Sequence, residues 1–118
     1  MKEPNYIQMN TIRAIRDLRV YDKNGEKLGK IDDLLIDRES NRVACAVFSF
    51  GSYLLGLGNQ YFVIPLEAFK NRQHGEDYVL DVDKATLEKE EGFRYEQLTQ
   101  NKLSEAYMQY KLKPYWEK

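Results

Sequence analysis

Three glycines lie close together in the segment SFGSYLLGLGNQYFVIP, residues 49–65, and raise the question of a phosphate-binding loop. A Walker-type loop needs a Lys-Ser or Lys-Thr pair after its last glycine, and neither pair follows Gly56 or Gly58. A dinucleotide-binding loop opens a helix, whereas Gly58 precedes a run of strand-forming residues. We therefore interpret the segment as a long hairpin in which Gly51, Gly56 and Gly58 permit tight bends.

Four acidic residues form a second candidate for chemistry, because clustered carboxylate oxygens bind hard cations such as Ca²⁺ and Mg²⁺. They are Asp32, Asp33, Asp37 and Glu39. On a strand, however, successive side chains point to opposite faces, and exposed strand edges commonly carry charge. The sequence therefore favours surface charge over a metal site, and it predicts no metal and no other cofactor.

The two residues most often used in catalysis lack suitable neighbours. His74 is the only histidine and lies in the polar turn NRQHGED. Cys45 lies in the apolar run VACAV, without the nearby positive charge that would activate a thiol. We predict no catalytic residues. A single cysteine also excludes an internal disulfide, which makes a reducing cytoplasm the expected location.

Composition limits the remaining possibilities. A chain of 118 residues with net charge −1 has room for one domain. It has no apolar run long enough to span a membrane. Five basic residues near the start of the chain are scattered among acids, so no direct nucleic-acid contact is expected. These residues are Arg13, Arg16, Arg19, Lys27 and Lys30.

The strongest local signal is the Asn24-Gly25 dipeptide, which predicts a hairpin with a type I′ turn. In the following strand, residues 27–38, the pair Asp32-Asp33 shifts the apolar phase and indicates a bulge or a tight bend. Gly29 suits the same strand because a missing side chain lets it coil sharply. A second turn follows, in which Asn41 is expected to adopt a left-handed conformation.

The next strand, residues 43–50, is apolar on both faces. Simple alternation places Val43, Cys45 and Val47 on one face and the remaining apolar residues on the other. Five short strands at close spacing, each separated by a turn signal, predict a small antiparallel barrel. We therefore expect residues 43–50 to be covered twice: by the barrel interior and by either the C-terminal segment or another subunit. The remaining predicted elements are a strand at 60–65, a helical turn started by Pro65, a strand at 75–83 and a helix at 84–91 capped by Asp83.

The C-terminal segment, residues 95–111, shows helical spacing of apolar and aromatic side chains. Pro114 is expected to stop the helix, and an aromatic pair follows it. We predict that this stripe covers the outer face of the barrel, on its own subunit or on a neighbour. Its members are Leu98, Leu103, Ala106, Tyr107 and Tyr110, with Tyr115 and Trp116 beyond the proline.

Taken in order, the pieces GEKLGKIDDLLID, SFG…LGLG and VIP resemble the PRC-barrel domain. That β-barrel occurs in the cytoplasmic part of the photosynthetic reaction-centre H subunit and in the C-terminal domain of a ribosome-maturation factor. The resemblance covers residues 11–93, preceded by a flexible lead-in at 1–10 and followed by a tail at 94–118. The expected fold is mainly β: a small antiparallel PRC-type barrel with a C-terminal helical extension.

Matching positions are confined to structural residues. The resemblance assigns Gly25 and Gly29 to the hairpin and the coiled strand, and Asp33 and Asp37 to acidic strand positions. It assigns Gly51, Gly56, Gly58 and Pro65 to the loop and strand end. The chain departs from the family pattern at Gly51-Ser52, at Asn41 and at Glu90-Glu91 before Phe93. The resemblance implies no catalytic residues.

The expected function is that of a non-catalytic protein-interaction or scaffold module that forms a homo-oligomer, a dimer in the simplest case. Another cytoplasmic protein is a second possible partner. The expected contact surface combines a loop tip, strand residues and the tail: Tyr53, Leu54, Leu55, Leu57, Phe48, Phe50, Tyr107, Tyr110, Tyr115 and Trp116. Two alternatives remain, an accessory factor in ribosome assembly or RNA metabolism, and a small-ligand or metal-binding barrel.

Overall fold

The computed structural model describes residues 9–51, 60–72, 77–90 and 98–117. Within these ranges the chain forms six strands, three α-helices and one 3₁₀ turn. The strands are β1 (Arg19–Tyr21), β2 (Lys27–Asp37), β3 (Arg42–Phe50), β4 (Gln60–Ile64), β5 (Phe69–Asn71) and β6 (Tyr78–Leu80). The helices are α1 (Ile12–Ile15), α2 (Lys84–Glu88) and α3 (Gln100–Gln109), and the 3₁₀ turn spans Leu66–Ala68.

The six strands form one sheet in the order β4-β3-β2-β1-β6-β5. Neighbouring strands are antiparallel except for β1 and β6, which are parallel. The sheet curls into a half-barrel, and its concave face encloses the main core. Central core residues include Val20, Ile31, Phe48, Ile64 and Leu80. The predicted mainly β architecture with a C-terminal helix is confirmed.

The β1–β2 hairpin turns where the sequence predicts, but the predicted type I′ turn is wrong. Such a turn needs a positive φ at both central residues, and of the pair only Gly25 has one, at 86°. Asp22 N–H donates to the Glu26 carbonyl at 2.8 Å, and this hydrogen bond closes a loop of three residues, 23–25. The Asp22 carboxylate explains this choice, since it accepts hydrogen bonds from the N–H groups of Asn24 and Glu26.

Strand β2 carries the irregularity that the sequence predicts. The register with β3 shifts between Ile31 and Asp33, so Asp32 has no partner across the pair. Gly29 lies against the neighbouring strand so closely that a Cβ atom there would meet the Ser49 carbonyl oxygen at 1.9 Å. Its lack of a side chain therefore permits β2 to cross β3 at close range. Asn41 has the expected left-handed conformation in the next turn, with φ 59°.

Two short elements are absent from the sequence-based prediction. Strand β5 follows the 3₁₀ turn started by Pro65, and three residues are too few to show alternation. Phe69 of β5 nevertheless contributes to the core, because its ring lies 6.3 Å from Phe48 and stacks on Tyr78 at 5.5 Å. Helix α1 is a single turn capped by the Thr11 side chain, which accepts from Ala14 N–H.

The start of α2 has the predicted residue at its N-cap but a different capping group. Asp83 occupies the cap position without a capping side-chain hydrogen bond. Its carboxylate accepts from the Asn24 side chain at 2.9 Å instead. Asp22 supplies the missing acceptor, since its Oδ2 receives the Lys84 N–H at 3.2 Å. One buried carboxylate thus joins the first hairpin to α2.

Candidate functional site

The outer face of β3 is covered by the chain's own C-terminal segment. Helix α3 and the residues after it pack on β3 and β4 in a second apolar cluster, separate from the main core. Of the two partners that the sequence leaves open for this face, the structure shows the tail of the same chain. The buried members of this cluster, here called the tail cluster, are Ala44, Cys45, Val63, Leu103, Ala106 and Tyr107.

A bulge in β3 determines which of its apolar residues face the tail cluster. Leu35 pairs with Cys45 and Ile36 pairs with Val43, so Ala44 bulges between them. The bulge moves consecutive residues, Ala44 and Cys45, into the tail cluster, while Val43 packs against the main core. The simple alternation expected for Val43 and Cys45 is therefore wrong, because a bulge adds one residue to the strand and changes its phase.

Two tyrosines fix the tail to the barrel through their hydroxyl groups. Tyr107 donates to the Ala44 carbonyl at 2.7 Å inside the tail cluster. Tyr115 donates to the Asp37 carboxylate at 2.5 Å at the end of β2, and Arg42 lies 5.1 Å from the centre of the Tyr115 ring. Trp116 completes the aromatic group, with its ring 5.4 Å from that of Tyr107.

The protonation states of this contact follow from its partners. Burial, the hydrogen bond to Asp37 and the charge of that carboxylate raise the pKa of Tyr115 to about 12. The hydrogen bond from Tyr115, followed by one from Glu39 N–H, lowers the pKa of Asp37 below its ordinary value. At neutral pH the pair is therefore a neutral phenol donating to a carboxylate. Asp37, one of the four acidic residues considered as a cation site, is therefore hydrogen-bonded to the tail.

The expected contact residues of β3 lie inside the chain. Phe48 is fully buried and Phe50 is 7% exposed, and both belong to the main core. Both residues stabilise the half-barrel, and neither is part of the contact surface that we propose below. Tyr107 is also fully buried, and Tyr110 packs from the helix end against the main core. Tyr115 and Trp116 remain partly exposed at the rim of the tail cluster.

The apolar tip of the predicted hairpin, residues 53–57, lies outside the described residues. This applies to Tyr53, Leu54, Leu55 and Leu57 and to the two glycines of the segment, Gly56 and Gly58. Gly51, the last described residue before it, has φ 135°, a conformation that favours glycine. Strands β3 and β4 are paired antiparallel on either side of this segment, in the register Phe50 to Gln60.

The structure describes one of the two candidate catalytic residues, Cys45. Cys45 is fully buried, and burial raises the pKa of its thiol to about 12, which keeps it protonated and unreactive. His74 lies outside the described ranges. Within those ranges no group of three His, Cys, Asp or Glu side chains is placed to hold a metal ion. Asp33 accepts a hydrogen bond from Leu34 N–H.

A shallow cleft lies between β4 and α3, with Phe62, Val63 and Ala106 at its base and polar side chains around it. Its volume is about 90 Å³. Ligand-binding pockets usually hold about 300–1,000 Å³. The cleft therefore gives no support to the small-ligand alternative.

None of the helices in the described part of the chain has the length and apolarity needed to cross a membrane.

Comparison with known proteins agrees with the architecture. The family model of the PRC-barrel domain matches residues 8–87, about two thirds of the chain. A search of curated proteins finds no match. The matched range runs from α1 to α2 and contains all six described strands. PRC-barrel domains are in general non-catalytic modules. The chain belongs to the PRC-barrel domain family.

Proposed function

We propose that this chain is a protein-interaction module that forms a homodimer through the connection between β3 and β4. The family supports a non-catalytic role. A reducing cytoplasm suits the buried, protonated thiol of Cys45. The proposal adds to this the contact surface, which is the β3–β4 connection, and the partner, which is a second copy of the chain.

The observation that carries it is the contrast between the tail and the tip. The aromatic tail is used within the chain, where Tyr107 and Tyr115 are hydrogen-bonded to β3 and β2. The main role of the tail is therefore to stabilise the fold of its own chain. The expected contact residues that lie outside the tail and β3 are Tyr53, Leu54, Leu55 and Leu57. Four apolar side chains in an uncharged strand connection favour contact with a partner.

Sedimentation velocity over a range of concentrations tests the proposal. The wild type is expected to form dimers. A stable interface between the two copies would bury about 1,000 Å² or more in total. Leu55→Asp places a carboxylate in the tip and is expected to give monomers that remain folded by circular dichroism. Met108→Asp is the matched control, because Met108 is 72% exposed on α3 and should tolerate a charge without effect.

Two outcomes contradict the proposal. A wild type that remains monomeric at high concentration excludes self-association. A Leu55→Asp variant that dimerises as the wild type does excludes the tip as the contact.

A further inference from the structure

The register of the sheet gathers cations that are far apart in the sequence. On β1, β2, β5 and β6 the side chains that point inward join the main core, so their neighbours point outward. The outward residues of these strands include four cations, and Arg72 follows directly after β5. The five together are here called the basic face: Arg19, Lys27, Lys30, Lys70 and Arg72. All but Arg72 are exposed, and Arg72 is partly buried.

The cations form two rows across the strands. In the first row Lys27 pairs with Tyr21, Tyr21 with Val79, and Val79 with Lys70. Three strand spacings separate its end residues, Lys27 and Lys70, which amounts to about 14 Å. An aromatic and a β-branched side chain therefore lie between two lysines.

The second row runs parallel to the first. Lys30 pairs with Arg19, whose N–H donates to the Asp77 side chain at 3.3 Å. Arg72 N–H donates to the Asp77 carbonyl at 3.0 Å on the far side. Two carboxylates in the described part of the chain lie beside the basic face: Asp17 forms an ion pair with Lys30 at 3.1 Å, and Asp77 accepts from Arg19 N–H. The basic face thus brings five cations together on a chain whose net charge is −1.

Tyr21 of the first row contacts Arg72 of the second row. The Arg72 guanidinium carbon lies 4.1 Å from the centre of the Tyr21 ring, so the two groups stack. Stacked aromatic and guanidinium planes accept nucleobases, and flanking lysines neutralise phosphates. A strand of nucleic acid carries one phosphate per nucleotide, which suits cations repeated along two rows.

We propose that the basic face binds single-stranded nucleic acid through its phosphates, with one base stacked on the Tyr21–Arg72 pair. A second copy of the chain does not suit this face, because a two-fold dimer would oppose like charges. The site is therefore independent of the tip and of self-association. It departs from the sequence-based expectation of no direct nucleic-acid contact, which judged the cations by their spacing along the chain.

Fluorescence anisotropy with a labelled oligouridylate of about twelve nucleotides tests the proposal between about 50 mM and 200 mM salt. The variant Lys27→Glu with Lys70→Glu is expected to bind at least about tenfold more weakly at low salt. Its slope of log affinity against log salt should fall by about 1.4, since each lost phosphate contact removes about 0.7. The control, Lys89→Glu with Lys113→Glu, makes the same change in net charge at exposed positions elsewhere and should bind as the wild type does.

Tyr21→Leu tests the stacking and should weaken binding at least about fivefold. Circular dichroism and urea unfolding show whether each variant is folded. The proposal is overturned if the wild type does not bind the oligonucleotide, or if the two double variants lose affinity equally. It is also overturned if Tyr21→Leu binds normally, or if an oligoglutamate of equal charge binds as tightly, because either result indicates a general anion surface.

Discussion

The hydroxyl of Tyr107 donates a 2.7 Å hydrogen bond to the carbonyl oxygen of Ala44, the residue that bulges from β3. Both groups are buried within the tail cluster, away from water. The contact joins positions 63 residues apart and fixes the tail helix to the sheet. It also satisfies a backbone acceptor at an irregular point of the strand, which would otherwise be buried without this donor.

Replacing Tyr107 by Phe removes the donor and leaves the ring. We expect the free energy of unfolding to fall by about 1–3 kcal/mol, the usual cost of a buried polar group that loses its partner. Urea unfolding measures the change. Tyr110→Phe is the control, because no described hydrogen bond involves the Tyr110 hydroxyl, and it should cost less than about 0.5 kcal/mol. Equal losses in the two variants would contradict the role assigned to the Ala44 contact.

Two glycines should respond differently to alanine. At Gly29 a Cβ atom would overlap the Ser49 carbonyl oxygen, so Gly29→Ala must push the two strands apart. We expect a loss of at least about 3 kcal/mol. At Gly25 a Cβ atom meets nothing within 4 Å, and the cost arises from φ 86° alone, about 1 kcal/mol. Chemical denaturation of both variants checks the order, and a larger loss at Gly25 would show that β2 and β3 do not approach as described.

The carboxylate of Asp22 should make stability depend on acid pH. Burial raises the pKa of Asp22, but hydrogen bonds from the N–H groups of Glu26, Asn24 and Lys84 lower it further, and it lies below its ordinary value of 3.8. Such a group stabilises the fold above the unfolded-state pKa, and the stabilisation disappears as the pH falls through the folded-state value.

We therefore expect Asp22→Asn to lower the free energy of unfolding by about 2 kcal/mol at neutral pH, since bonds to an ionised acceptor are lost. The difference from the wild type should begin to shrink below about pH 4, where Asp22 of the unfolded chain binds a proton, and should be smallest below the folded-state pKa of Asp22. Denaturation midpoints at several pH values measure this. Asp81→Asn serves as a control at an exposed site. A difference that stays constant with pH would refute the assignment.

The contact between Tyr115 and Asp37 should control opening of the tail. Tyr115→Phe removes the hydroxyl, so we expect faster amide hydrogen exchange after α3 and a shift in the fluorescence of Trp116, the single tryptophan. Asp37→Asn should have the same effect, while Asp32→Asn on the same strand should not. In the wild type the raised pKa of Tyr115 stabilises the fold below about pH 10, and this effect is lost as the pH rises through 12. Unchanged exchange in Tyr115→Phe would show that the contact does not retain the tail.

Local signals in the sequence predict where the chain turns between the first strands, and they also predict the family. Asn24-Gly25 marks the first turn, Asn41 the second and Asp32 the bulge, because each depends on a few adjacent residues. The type of the first turn is not predictable in this way, since it depends on the Asp22 carboxylate, which also binds Lys84. Strand β5 is too short to show a pattern.

Contacts between distant residues limit what the sequence predicts of the candidate sites. A bulge at Ala44 changes which residues of β3 face outward, and nothing in the local sequence marks it. The basic face likewise depends on pairing between β1, β2, β5 and β6. Lys27 and Lys70 become members of one row through two intervening strands. Charge counted along the chain cannot detect such a surface.

The parallel pairing of β1 with β6 has a consequence for how the chain folds. Arg19 and Asp77, which meet at this junction, are 58 positions apart. During synthesis β1 must wait for nearly the whole domain to emerge before its second neighbour arrives, so one edge of the growing sheet stays open. A high contact order of this kind slows folding relative to a simple meander of hairpins. Nascent chains should therefore need protection from aggregation until β6 is complete.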